Sequence, residues 1–290
     1  MQSRTRLNIA LVAGLAVIAV LFWLAAREEA GDRPMLDLES AAVERIQALE
    51  GERLHWSLVR DGDDWRIEEP LQAPAHPDRV TMMLQLLRAP VRARYAVEDV
   101  ELARFGLDEP ALTVRVNEHV LILGDGEPVQ RRRYVRLGDE VLLVDDIVFH
   151  QFNRRAEVLV DNRLLRGGGP VEMIEFGALR LSLDDAGRWG LKPGTEGLAH
   201  LESDDLARMS RNWVDAQAPE TLGWPVPDLD APMIRVRRAD GSVRLFYLLE
   251  SNDGQVTLGS PDTGLRYRFP ATQRPALMPD PEYWAENDDA

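Results

Sequence analysis

The segment from Ile9 to Ala26, IALVAGLAVIAVLFWLAA, carries no charge and no hydrogen-bonding side chain except the Trp23 indole. As a helix these 18 residues span about 27 Å, close to the hydrocarbon thickness of a bilayer. The stretch predicts a membrane anchor that leaves the rest of the chain in water on one side. Two other readings compete. A cleaved signal peptide has a shorter apolar region, roughly 7–15 residues, and a small-x-small cleavage site. Here Leu24-Ala25-Ala26 puts Leu where a small residue is wanted. A buried core helix carries a one-sided polar stripe, and none runs along this segment. Arg4, Arg6 and the amino group precede the run, and Arg27 and Arg33 come after it. That count is nearly balanced, and the very short N-terminal flank tips the expected orientation toward N-terminus inside. Ala10 and Gly14 form one small-xxx-small pair suited to packing on another membrane helix.

Composition bounds the body beyond the anchor. The remaining 264 residues exceed a typical single domain, so two domains are expected. A hydrophobic content of 45% supplies a core without disulfides, and the chain has no Cys at all. Lipidation of a processed N-terminal Cys and Cys nucleophiles are thereby excluded. The net charge of −15 disfavours nucleic acid or anionic lipid as the main partner of the body as a whole.

Residues 27–40 read as a charged linker, with Gly31 and Pro34 and no apolar period. Beyond them one arrangement occurs twice. Val43-Glu-Arg-Ile46 recurs as Val171-Glu-Met-Ile174, and Leu54 to Pro70 recurs, shortened, as Leu179 to Pro193. Phe105-Gly-Leu before Pro110 recurs as Leu222-Gly-Trp before Pro232. The offset drifts from 128 at Val43/Val171 to 124 at Trp65/Trp189 and 122 at Pro110/Pro232, as duplication and then small loop deletions would leave it. In each copy alternating strands come first: Leu54, Trp56, Leu58, then Leu179, Leu181, Leu183. The turns Asp61-Gly62-Asp63-Asp64 and Asp184-Asp185-Ala186-Gly187 lead to strands bearing Trp65 and Trp189. A helix comes after each. Val80, Met83, Leu84 and Leu87 form the first core stripe, from Pro77 to a stop at Pro90. Ser203 as cap, then Leu206, Met209 and Trp213, make the second. More alternating strands complete each copy, and a helix from Asp146 to about Arg155 closes the first. The expectation is an α+β fold with an N-terminal transmembrane helix and two tandem, similar units of antiparallel sheet plus one or two helices. Its parts are 1–26, cytoplasmic tip and anchor; 27–40, linker; 41–166 and 167–284, the two units; and 285–290, an acidic tail.

Trp65-Arg-Ile-Glu-Glu-Pro70, Phe105-Gly-Leu-Asp-Glu-Pro110, Tyr134-Val-Arg-Leu137, Val141-Leu-Leu-Val144 and Arg163-Leu164-Leu165 stand in an order that resembles a bacterial family, the domain of unknown function DUF4340. The match covers the first copy well and the second loosely, where Trp189-Gly-Leu-Lys-Pro193 is one residue shorter. The resemblance implies an envelope protein often associated with ABC-type export machinery of the gliding-motility kind, and it supplies no catalytic residues.

The candidate sites have bland readings beside them. The matched Trp65 and Trp189 are ligand-stacking platforms or, as expected, core. Arg131-Arg132-Arg133 is a phosphate clamp or, as expected, a solvated hairpin loop. Asp145, Asp146 and His150 resemble a metal or acid–base cluster, but Asp146 fits a helix cap, and His55, His76, His119, His150 and His200 lack ligand spacing. Asp61, Asp63 and Asp64 imitate a calcium loop that fails at Trp65. Gly167-Gly168-Gly169 lacks the Lys-Ser/Thr of a phosphate loop and reads as a hinge. No catalytic, cofactor-binding or metal-binding residue is assigned, and no cofactor. The expected role is a non-catalytic interaction component at the bacterial inner membrane, its bulk periplasmic, accessory to an ABC-type transporter. A binding module for an envelope polymer or lipid is the alternative, and a hydrolase built from distant carboxylates comes third.

Overall fold

A computed structural model describes residues 33–127, 130–167, 169–192, 201–224, 230–249 and 254–279. The predicted anchor at Ile9–Ala26 lies outside the described residues, as do residues 27–32 of the linker and the acidic tail. Among the described residues no helix is long and apolar enough to cross a membrane.

The chain forms two antiparallel sheets with few helices, an α+β arrangement of two sheet units. The first sheet uses β1 (Arg45–Glu50), β2 (Arg53–Asp61), β3 (Asp64–Glu69), β4 (Ala73–Pro74), β5 (Ala93–Ala96), β6 (Leu112–Val116), β7 (His119–Glu127), β8 (Arg132–Leu137) and β9 (Glu140–Asp145). The second uses β10 (Val171–Phe176), β11 (Leu179–Leu183), β12 (Trp189–Lys192), β13 (Glu220–Gly223), β14 (Met233–Arg238), β15 (Val243–Leu249), β16 (Val256–Ser260) and β17 (Leu265–Phe269). Strand order is β4-β3-β2-β1-β6-β7-β8-β9-β5 in one and β12-β11-β10-β14-β15-β16-β17-β13 in the other. Apart from β4, the two orders superimpose strand for strand, so the repeated motifs mark a repeated topology. The helices are α1 (Pro77–Leu87), α2 (Ile147–Phe152), α3 (Ala156–Leu159), α4 (Ser203–Asp215) and α5 (Arg274–Leu277). Two compact units result. One holds the described residues up to Trp65 together with Pro77–Arg155; the other holds Arg66–His76 together with the described residues from Ala156 onward.

In the first unit the apolar residues at alternate strand positions are buried, as is one stripe of α1. Ile46, Trp56, Leu58, Val114 and Leu121 are buried on one side, and Val80, Met83 and Leu87 are the buried positions of the helix. Leu54 departs from the expected alternation and is 36% exposed. A bulge between Ala48 and Leu49 shifts the β1–β2 register, so Leu54 opposes Leu49 rather than continuing the Trp56 row. The helix expected from Asp146 to about Arg155 ends at Phe152, and a break separates it from α3. The break leaves the Arg154 carbonyl free of helix bonding, where it accepts the Trp56 indole N–H at 2.9 Å.

The Phe105-Gly-Leu motif has a packing cause. Gly106 closes a 3₁₀ turn at φ +63, and a β-carbon there would meet the Asp125 carboxylate at 2.8 Å. Leu107, 2% exposed, then lies on the bare Cα of Gly124, where a β-carbon would come 2.8 Å from its Cδ2. The second unit repeats the device with larger parts: Trp224 lies on Gly259, whose β-carbon would meet the indole at 2.6 Å.

The second unit packs Leu206, Met209 and Trp213 of α4 onto Ile234, Phe246 and Tyr267. Trp213 contacts Phe176 and Phe246 edge to face and donates its indole N–H to the Leu277 carbonyl at 2.7 Å. The cap of α4 differs from expectation. Glu202 and Asp205 form a reciprocal capping box, and the Ser203 hydroxyl instead accepts the Trp189 backbone N–H at 2.9 Å.

Among the described residues of this unit, Asp161 is the fully buried carboxylate. Its oxygens accept Arg163 Nε and Nη2, both at 2.8 Å, and Arg166 Nε at 2.9 Å. Burial pushes its carboxyl up, but the Arg163 and Arg166 guanidiniums more than reverse this and hold it below the usual carboxylate range. The residues after Asp161 are pinned as well: Leu164 N–H donates to the Ala216 carbonyl at 2.9 Å, and Leu164 and Leu165 are buried.

Asp161→Ala takes the carboxylate away from two guanidiniums and lowers unfolding stability by about 3–5 kcal/mol, read from urea titration. Because the folded value is depressed, the stability Asp161 contributes is present above the unfolded Asp value near ~3.9 and is lost as pH falls through the lower folded value. The difference between native chain and Asp161→Asn therefore narrows on acidification. Gly259→Val forces Trp224 off the sheet and costs about 1–3 kcal/mol in the same assay, more than Gly190→Ala, where a β-carbon meets nothing within 4 Å.

Candidate functional site

Of the predicted cluster of Asp145, Asp146 and His150, the last two meet where β9 runs into α2, and Asp145 is held by Arg92. Arg92 grips Asp145 with two hydrogen bonds, Nε to Oδ1 at 3.2 Å and Nη2 to Oδ2 at 2.9 Å. That grip holds the Asp145 carboxyl below its ordinary value and the Arg92 guanidinium above its own. Asp146 stands at the head of α2, yet its side chain makes no capping bond. Its oxygens take Arg133 Nε at 2.6 Å and His150 Nε2 at 3.0 Å. The capping role expected for Asp146 is thus replaced by an ion-pair role, because the guanidinium is the stronger partner.

Arg133 departs from the solvated loop expected for Arg131–Arg133. Arg131 does occupy the turn, at φ +53, but Arg132 and Arg133 open β8. The Arg133 side chain is 12% exposed, donates to the Gly124 carbonyl at 2.5 Å and lies 3.7 Å over the Phe149 ring. One guanidinium therefore joins β7, β8 and α2. Both carboxylates are committed to cations, and the arrangement can lock a hairpin to a helix. Among the described residues no three His, Asp or Glu side chains converge as metal ligands, so the Asp61–Asp64 turn and the Asp146–His150 pair form no such group.

A family model described as "Domain of unknown function (DUF4340)" matches residues 65–222. The chain belongs to this family. No match was found among curated proteins or among solved structures.

Within the fold, the DUF4340 motif residues are packing residues. Trp65 is 6% exposed, and Arg60 lies 4.8 Å from its ring centroid while donating to the Val43 and Ser40 carbonyls. The ring face is covered, so Trp65 is core and not a stacking platform; Trp189 is half-buried. Phe105 packs on Tyr134 at 4.3 Å. Gly167 takes φ +56 in the turn between the copies.

One feature of the second unit had no sequence signal. A cavity of about 280 Å³ is lined by Phe176, Met233, Ile234, Leu248, Val256 and Met278, with Arg274 the charged residue of its described lining. Its volume lies at the lower edge of ligand pockets, roughly 300 Å³. The lining comes from five separate segments, so no spacing in the chain betrays it.

Arg133→Ala removes an ion pair, a carbonyl bond and a cation–π contact together. It should cost about 2–4 kcal/mol in denaturant unfolding. Arg92→Ala, which loses an exposed pair, should cost under about 1 kcal/mol.

Proposed function

We propose that this DUF4340 chain is a non-catalytic interaction component of the bacterial envelope. It is tethered to the inner membrane through Ile9–Ala26, with its two sheet units on the periplasmic side, and serves as an accessory to an ABC-type transport system. The observation that carries the reading is a bilayer-length apolar run ahead of two sheets of one topology. The acid–base candidates, moreover, are committed to structural ion pairs. A duplicated scaffold with such groups tied down serves to present surfaces. In the family resemblance, the surfaces are presented beside a transporter.

The test uses the full chain, tagged and expressed from its own locus. It should resist alkaline carbonate extraction and co-purify with transporter subunits in mild detergent. Release by carbonate alone overturns the tether, and purification without a transporter subunit overturns the accessory role.

The apolar cavity favours a second reading, a module that binds an envelope lipid by one acyl chain. Its lining is hydrocarbon and thioether, and Arg274 adds a positive charge suited to an anionic headgroup. Lipid mass spectrometry of the purified full chain should find a retained acyl lipid that Leu248→Trp, which fills the cavity, displaces. Equal lipid content in both proteins overturns it.

A further inference from the structure

The net charge of −15 hides a local reversal of sign. In an antiparallel sheet, residues directly opposite one another share a face. The pairs Lys192–Arg180, Arg180–Glu175, Glu175–Arg235 and Arg235–Leu245 therefore draw one row across β12, β11, β10, β14 and β15. It holds three cations and one carboxylate. The neighbouring row, Ser182–Met173–Arg237–Val243, adds a fourth cation and no acid. Glu175 is shared between Arg180 at 2.8 Å and Arg235 at 3.0 Å, so the single carboxylate leaves an excess of positive charge. This is the face away from α4, because Ile174, Leu181, Ile234 and Val236 alternate with these residues and are buried.

The face is also apolar between its charges. Met233 is 36% and Val243 45% exposed, and both point the same way as Arg235 and Arg237. Farther along, Trp224 lies over Gly259 beside Tyr247 and closes that half of the face. The open half is a flat strip of guanidinium and ammonium groups with exposed aliphatic side chains among them. Cations interleaved with short hydrophobic side chains match the interfacial zone of an anionic bilayer, where phosphates meet the upper acyl segments.

We propose that the β12–β11–β10–β14 face of the second sheet docks on the headgroups of an anionic phospholipid bilayer. This rests on the tethered reading above, which supplies the bilayer. An acidic polypeptide is the competing occupant, and charge alone would suit it. The exposed Val243, opposite Arg237 on the strip, favours the lipid, since an aliphatic side chain among cations gains from an interface with hydrocarbon beneath it.

The experiment uses the full chain in nanodiscs of phosphatidylcholine, with or without phosphatidylglycerol. The chain has no Cys, so a single spin label can be placed by Val243→Cys, with a control by Val120→Cys, 42% exposed on the other sheet. Collision of the label with an aqueous nickel chelate is read by electron paramagnetic resonance. At position 243 accessibility should fall several-fold in the anionic discs, recover in high salt and recover in Arg235→Glu/Arg237→Glu. Position 120 should not change. Equal accessibility at 243 in both discs overturns the inference, as does shielding by soluble polyglutamate without shielding by anionic discs. If the chain elutes apart from the discs, the tether has failed and this inference has not. The same label is then read on the free chain mixed with anionic vesicles, and the same criteria decide.

Discussion

Each sheet has one face that must be taken out of water, and in each unit one helix of three turns or so carries much of that demand. Its hydrophobic contribution acts through few residues, Val80, Met83 and Leu87 in one unit and Leu206, Met209 and Trp213 in the other, with Phe152 of α2 stacked on Trp56 beside the first set. Burying such side chains contributes about 1.5–3 kcal/mol each before packing is counted. So few contacts cannot fix the helix angle alone. Each unit adds a buried indole that donates to a carbonyl from near the end of that unit's described residues, Trp56 to Arg154 and Trp213 to Leu277. The two indoles come from different positions, one on a strand and one on a helix. The duplicated fold has thus reached the same kind of closure twice by separate routes.

Much of this was legible in the chain. The drifting repeat gave the equivalence of β1–β3 with β10–β12, and the alternation of Leu265, Tyr267 and Phe269 gave a strand with one buried face. Helix α1 was readable because Pro77 and the stripe agree. What escaped reading depended on distant partners. The bulge that exposes Leu54 is a property of the β1–β2 pair, not of either strand. The cap of α4 went to Glu202 because Ser203 was needed by Trp189, fourteen residues earlier. The Phe-Gly-Leu motif was visible, but its reason, the bare Cα of Gly124, lies on another strand.

The candidate site shows the same division. Asp146 and His150 do meet where the sequence placed them, and Asp145 goes to Arg92 instead. Their chemistry is decided by Arg92 and Arg133, which arrive from the segment before β5 and from β8. A carboxylate beside an arginine fork is a clasp, and the same side chains without it would read as a ligand set. Charge behaves alike: the acidic total is an average over surfaces of opposite sign, and strand register sorts it into faces that composition cannot show.

The grouping of Arg66–His76 with the later half of the chain has a consequence for how the protein is made. Ala75 bridges to Val160, and the Asp161 N–H reaches the Pro74 carbonyl, across more than eighty intervening residues. During synthesis this early stretch leaves the ribosome long before its partners exist. Its β3–β4 pairing can form at once, but the links of Pro74–His76 to Leu159–Asp161 must wait until that connector emerges. Part of the second unit is thus made before the first is complete, and co-translational folding interleaves the copies rather than finishing one bead after another.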